Sequence, residues 1–145
     1  MAIYVQDNRF ILETDHLSYI FDVKFGYLRH LYYGRKIVCD DISNLIAPRK
    51  TSFTPAIPGG KYYDSLDVIP QEYSLYATGD FRYSAIIARN AEGVYACDLL
   101  YDSYRILEEK PILEGMPHVR DGQTLVVTLK DKKFGLRLDL YYSVL

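Results

Sequence analysis

The last two apolar runs of the chain limit its fold more than any other feature. Between Thr124 and Asp131, Leu125, Val127 and Leu129 alternate with Thr124, Val126 and Thr128. Between Phe134 and Leu145, Leu136, Leu138, Leu140, Tyr142 and Val144 face one way, and Arg137, Asp139, Tyr141 and Ser143 face the other. A period of two sends successive side chains to opposite faces, so the second run reads as a strand with one buried and one wet face. The polar link from Lys130 to Lys133 predicts that the two runs pair antiparallel. The pattern reaches Leu145 without a glycine, proline or charged cluster to close it, and this predicts that more protein follows.

The start of the chain repeats the theme. Ile3 to Gln6 and Arg9 to Glu13 read as short strands joined at Asp7-Asn8, a turn pair. Leu17, Tyr19, Phe21 and Val23 share one face of an extended run, Gly26 offers a turn, and Tyr27 to Tyr33 return, closed by Gly34-Arg35. Asp40 to Leu45 predicts one helical turn capped by Asp41 or Ser43. Ile46 to Ile69, rich in proline and holding the Gly59-Gly60 pair, reads as an excursion away from the sheet. Further strands are predicted over Phe81 to Arg89, Val94 to Tyr101 and Ser103 to Glu108, the first two joined by a loop at Asn90 to Gly93. The run from Lys110 to Gln123 is a second turn-rich connection.

These 145 residues make one domain of all-β class. With 49% apolar and 25% charged residues the composition is globular, and a net charge of −2 with interspersed signs points to neither nucleic acid nor an anionic membrane. No apolar run approaches the ~20 residues a helical membrane span needs. Fifteen tyrosines and no tryptophan suit half-buried strand surfaces and a face packed on another domain. Cys39 and Cys97 fit neither a zinc motif nor a CxxC pair, and read as reduced, buried thiols of a cytoplasmic protein.

The segment from Ile69 to Arg82, IPQEYSLYATGDFR, has neither helical nor clean strand periodicity and reads as a connection anchored side chain by side chain. It resembles the PQEYPxYGTGDFR-like signature of bacterial α-galactosidases of glycoside hydrolase family 36. Four further segments resemble that family in the same order: LSYIFDVKFGYLRHLYYGRKI, SFTP at Ser52 to Pro55, DLLYDSYRILEEKPILEGMPHV and TLVVTLKDKKFGLRLDLYYSVL. The resemblance implies an antiparallel β-supersandwich of the galactose-mutarotase type, of which 145 residues form an incomplete part. It implies a catalytic (β/α)₈ barrel downstream that carries two aspartates for retaining hydrolysis of terminal α-galactosides such as melibiose and raffinose. It also implies a homotetrameric parent, and residues 1–145 as a single amino-terminal domain with no catalytic residue, no cofactor and no metal.

Candidate residues follow on that basis. Glu72, Tyr73, Gly79, Asp80, Phe81 and Arg82 are the structural signature. Arg82 is expected to pair with Asp80 or Glu72, and Phe81 to be a buried anchor. In the excursion from Pro48 to Asp67, Arg49, Phe53 and Asp64, the last in a Tyr62-Tyr63-Asp64 cluster, are the expected contacts at the substrate entrance or with a neighbouring subunit. The pairs Asp40-Asp41 and Glu108-Glu109 read as a turn cap and a solvated strand end, because strand neighbours point apart. His16, His30 and His118 share no metal motif. His30 with Glu72 is the one pair that fits a mutarotase-like acid and base. A stand-alone carbohydrate-binding sandwich or such an epimerase are the alternative functions.

Overall fold

The computed structural model describes residues 2–38, 42, 45–47, 49, 53–76, 78–118 and 121–145. Cys39, Asp40, Asp41, Ser43, Pro48 and Ser52, on which some of the readings above fall, lie outside them.

Seven strands form two antiparallel sheets. The first contains β1 (Ala2–Gln6), β2 (Arg9–Glu13), β3 (Leu17–Lys24) and β4 (Tyr27–Arg35), in chain order. The second contains β5 (Leu100–Leu107), β6 (Gln123–Lys130) and β7 (Arg137–Val144), also in chain order. The two-residue loops of the first sheet have positive φ at both positions, Asp7 (49°) with Asn8 (61°), and Phe25 (53°) with Gly26 (88°). This is the mirror-image turn whose twist matches the flanking strands. A Cβ on Gly26 would meet the Leu100 side chain at 3.2 Å, where the second sheet begins.

The inner faces meet in one core of Phe10, Leu12, Phe21, Leu28, Leu125, Val127 and Leu129 with their neighbours. Phe10 and Phe21 stack at 4.8 Å, and Phe21 packs on Tyr142 of the opposite sheet at 4.9 Å. The period-two reading of β7 holds: Arg137, Tyr141 and Ser143 are exposed, whereas Leu138, Leu140 and Tyr142 are partly covered and Val144 is buried. The reading of β6 needs extension, because Thr124 to Leu129 are buried on both faces. β6 is the central strand, and its outward threonines bond across to Ser143 (2.9 Å) and Asp139 (2.7 Å) of β7.

The strand expected over Phe81 to Arg89 does not form, and of that expected over Val94 to Tyr101 only Leu100 and Tyr101 lie in a strand, as the start of β5. The loop between the two runs forms, with Asn90 N–H donating to Val94 O at 3.0 Å, but its flanks part at once. Phe81, Tyr83 and Ile87 stand 73%, 96% and 59% exposed, so this run has no face to bury against a sheet. One parallel bridge, Leu75 to Ile86, is all the pairing it makes among the described residues. The strand placed at Ser103 to Glu108 instead starts at Leu100. Leu45 N–H donates to Ile42 O at 3.1 Å.

Candidate functional site

The signature segment reaches the sandwich along the free edge of β4. His30 N–H donates to Pro70 O (2.8 Å), Glu72 N–H donates to Leu28 O (3.1 Å), and Gln71 bridges antiparallel to Arg29. Proline can accept but not donate, so pairing is limited to this one contact and the segment leaves the edge again. The contact aims the Glu72 side chain between the sheets, where it is 2% exposed.

A buried carboxylate needs donors. Glu72 Oε2 accepts from the hydroxyls of Tyr19 (2.6 Å) and Tyr142 (3.0 Å), and Oε1 lies 2.9 Å from His30 Nδ1. Burial, and then the adjacent Glu72 carboxylate, push the phenols of Tyr19 and Tyr142 well above the ordinary tyrosine range. A β-bulge beside Ile20/Phe21 makes the cluster possible: Phe21 pairs with His30 but Tyr19 with Tyr33, which brings both β4 residues to the inner face. Tyr73 is buried and donates to Leu99 O at 2.7 Å, fastening the segment to the approach to β5. Gly79 turns the chain at a φ of 85°.

The second half of the signature is a clamp. Arg82 Nε and Nη2 bond both oxygens of Asp80 at 2.8 Å, and Nη2 also reaches Leu66 O (2.6 Å) and Ile69 O (2.9 Å). Gln71 Nε2 donates to Asp80 (2.7 Å) and to Leu66 O (3.0 Å). One planar, bidentate cation thus ties the turn at Leu66 to Ile69 to the segment around Asp80. The expected Asp80–Arg82 pair is present. Phe81, expected as a buried anchor, is not one: Asp80 turns inward to take the guanidinium, so its neighbour turns outward. Phe81 packs instead on Phe53, with centroids 5.8 Å apart and both rings about three-quarters exposed.

The excursion preceding the signature folds on itself. Asp64 is buried, ion-paired with Lys24 of β3, and accepts from Lys61 N–H at 2.9 Å. Burial alone would raise its pKa, but these partners hold the carboxyl below the usual range. Of the three expected contact residues, Asp64 is therefore committed inside the loop, whereas Arg49 and Phe53 are exposed. Arg49 lines an open cleft of about 430 Å³ with His30, Pro70 and Arg82.

His30 and Glu72 are brought together as the sequence pairing predicts, but Glu72 is sealed by two tyrosines and can reach no sugar. Glu108, Glu109, His16 and His118 are exposed, and the described residues hold no group of three or more metal-ligating side chains. The sequence reading missed Tyr19, Tyr142, Lys24 and Gln71. The first three lie in ordinary strand patterns far along the chain from their partners, and no local signal marks them.

Fold and site together define an all-β sandwich domain that carries a loop platform anchored by buried charges. The profile of the glycosyl hydrolase family 36 N-terminal domain matches residues 26–145, and the chain belongs to that family. It is 39% identical over 153 residues to the bifunctional alpha-galactosidase/sucrose kinase AgaSK of Mediterraneibacter gnavus, covering 100% of this chain and 16% of that protein. It is 36% identical over 147 residues to the alpha-galactosidase Mel36A of Lactobacillus acidophilus, covering 96% and 20%. The galactosidase domain of AgaSK superposes with a TM-score of 0.89 at 35% identity, over 99% of this chain and 21% of that one. The alpha-galactosidase AgaA of Geobacillus stearothermophilus, solved with raffinose, superposes with a TM-score of 0.84 at 31% identity over 94% and 20%. The chain thus spans about a fifth of the length of the proteins it matches.

Proposed function

We propose that these residues are the amino-terminal accessory domain of a cytoplasmic, tetrameric α-galactosidase that cleaves terminal α-galactosides such as melibiose and raffinose. The catalytic aspartates belong to a barrel elsewhere in that protein, and residues 1–145 by themselves turn over no galactoside. Their work is to support the barrel, to contribute to subunit contacts and to shape the mouth through which the sugar enters.

One observation carries the entrance role. Two exposed rings, Phe53 and Phe81, and the exposed Arg49 are displayed by a loop system whose own charges are internally satisfied by Asp64–Lys24 and Asp80–Arg82. A platform built this way can offer rings to an apolar sugar face and a guanidinium to hydroxyls without rearranging. The crystal structure of the relative AgaA in complex with raffinose makes that sugar the natural probe.

The test is made in the full-length enzyme. Phe53→Ala and Arg49→Ala should each raise KM for raffinose about 3- to 10-fold, with kcat for an activated aryl galactoside nearly constant. Unchanged kinetics in both variants would remove the entrance role. Turnover by the isolated 145-residue chain would refute the accessory reading.

A further inference from the structure

Arg49 stands between two hollows that the first sheet forms with the connection after it. On one side is the open cleft of about 430 Å³ shared with His30, Pro70 and Arg82. On the other is a cavity of about 50 Å³, where Arg49 joins Lys24, Arg29 and Asp64. Lys24, Arg29, Arg49 and Arg82 are the lysines and arginines lining these spaces among the described residues. Three of them have carboxylate partners: Lys24 pairs with Asp64, Arg29 with Asp22 and Arg82 with Asp80. Arg49 makes no ion pair or hydrogen bond among the described residues. One positive charge is therefore left over, and it sits on the residue that both hollows share.

The larger cleft suits a ligand that balances this charge. Leu31, Ile46 and Val68 give it apolar walls, and no carboxylate, amide or hydroxyl side chain lines it among the described residues. The nearby acids are withdrawn, Asp80 fully and Glu72 to 2% exposure. Arg82 sends Nε and Nη2 to Asp80, Leu66 O and Ile69 O, which fixes the plane of its guanidinium. Its Nη1 has no bond among the described residues, and the side chain is 43% exposed. Apolar walls around charge of one sign focus the field on the opening.

We propose that this cleft binds a phosphate group between the guanidinium groups of Arg49 and Arg82. The chemistry separates that ligand from a neutral sugar. A hydroxyl both donates and accepts, and a site for it offers acceptors as well as donors, whereas the two arginines only donate. Phosphate oxygens accept, and a planar guanidinium meets two of them at once. The volume exceeds a free phosphate and leaves room for the carbon skeleton of a monoester beside the apolar walls. Two sources carry this chemistry: inorganic phosphate, and a galactoside phosphorylated away from its terminal galactose. The site goes beyond the entrance role proposed above, whose test is the uncharged sugar raffinose.

The experiment uses the full-length enzyme. Inorganic phosphate is titrated by calorimetry at fixed ionic strength into the unsubstituted protein, the Arg49→Gln variant and, as reference, the Lys132→Gln variant in the exposed β6–β7 turn. Arg49 is exposed, so its substitution leaves the packing intact. The expected result is saturable binding that Arg49→Gln weakens at least about tenfold and Lys132→Gln leaves unchanged. No saturable binding at millimolar phosphate, or equal binding by the Arg49→Gln variant, would overturn the proposal. KM is then compared for raffinose and for raffinose phosphorylated on its fructosyl ring. A KM about 3- to 10-fold lower for the phosphorylated sugar, with the advantage lost in Arg49→Gln, assigns the phosphate to the substrate. Equal KM values beside intact phosphate binding keep the site and assign it to the free anion. Phosphate binding is read without turnover, so it can fail while raffinose kinetics uphold the entrance role, and the reverse.

Discussion

The sheets and the long connection between β4 and β5 are stabilised by different means. In the sheets, backbone ladders satisfy the peptide groups, and Phe10, Phe21, Leu125 and Leu129 fill a core with no accessible surface. In the connection, regular pairing is almost absent and order comes from side chains that bond backbone: Arg82 on two carbonyls, Gln71 on one, Asp64 and Asp67 on amides. The first arrangement is cooperative and tolerant of surface change. The second depends on a few buried charges, each of which has no substitute, but it leaves neighbouring side chains free to face solvent. A loop that must present residues to another surface is well served by the second kind of order.

That contrast is sharpest in the core. Phe21→Ala removes a ring that touches Phe10, Tyr19 and Tyr142 in both sheets. We expect a loss of about 3–5 kcal/mol of global stability, read as a lower midpoint in urea with the connection and sheets unfolding together. Early, separate loss of the connection alone would break the distinction.

Asp80→Ala should act locally. The side chain of Asp80 is fully buried, and that of Arg82 is 43% exposed. The orphaned guanidinium can therefore swing into water, which limits the cost to about 1–3 kcal/mol. Limited proteolysis should cut between residues 60 and 90 under conditions where β5 to β7 stay intact. Cleavage distributed over the whole chain would show that the clamp and the sheets are one cooperative unit.

Glu72 joins the two regimes, because it leaves the connection to sit between the sheets. Its tyrosine partners give a pH signature. In the folded state the phenols of Tyr19 and Tyr142 titrate above their unfolded value of about 10. The stability they contribute is therefore complete below about pH 10 and is lost progressively as pH rises past that value, where the unfolded chain sheds protons that the folded one keeps. Alkaline unfolding monitored by tyrosinate absorbance should show a late-titrating set of rings that includes Tyr19 and Tyr142 together with the half-buried Tyr27 and the buried Tyr73. Glu72→Gln keeps the shape, removes the negative charge and should cost about 1–2 kcal/mol at neutral pH while letting Tyr19 and Tyr142 titrate earlier. Unaltered titration would mean that burial alone governs them.

The strands were legible in the sequence because alternation records which face is covered: β7 could be read residue by residue, and the β1–β2 and β3–β4 hairpins from Asp7-Asn8 and Gly26. β6 was half legible, since burial on both faces depends on neighbours that its own pattern does not contain. The run around Tyr83 and Ile87 mimics a strand in composition, but no partner surface awaits it, and composition cannot report that. Within the site, Asp80–Arg82 was legible because the two residues are two positions apart. The tyrosine pair on Glu72 was not, because Tyr19 and Tyr142 converge only through the stacking of the sheets.

The smallest expected effect falls on the residue whose placement most separates the sequence reading from the structure. A buried Phe81 anchor would cost about 3–5 kcal/mol on truncation to alanine. At 73% exposure, with Phe53 as its ring partner, the same change should cost under about 0.5 kcal/mol in urea or thermal unfolding of the domain. The backbone of Phe81 is still held by Asp67, which accepts its N–H at 3.1 Å, so the clamp around Asp80 should survive intact. What the substitution removes is one of two rings displayed on the connection, and its consequence belongs to whatever meets that surface. A large loss of stability would return Phe81 to the core and erase the difference between an ordered loop and a buried one.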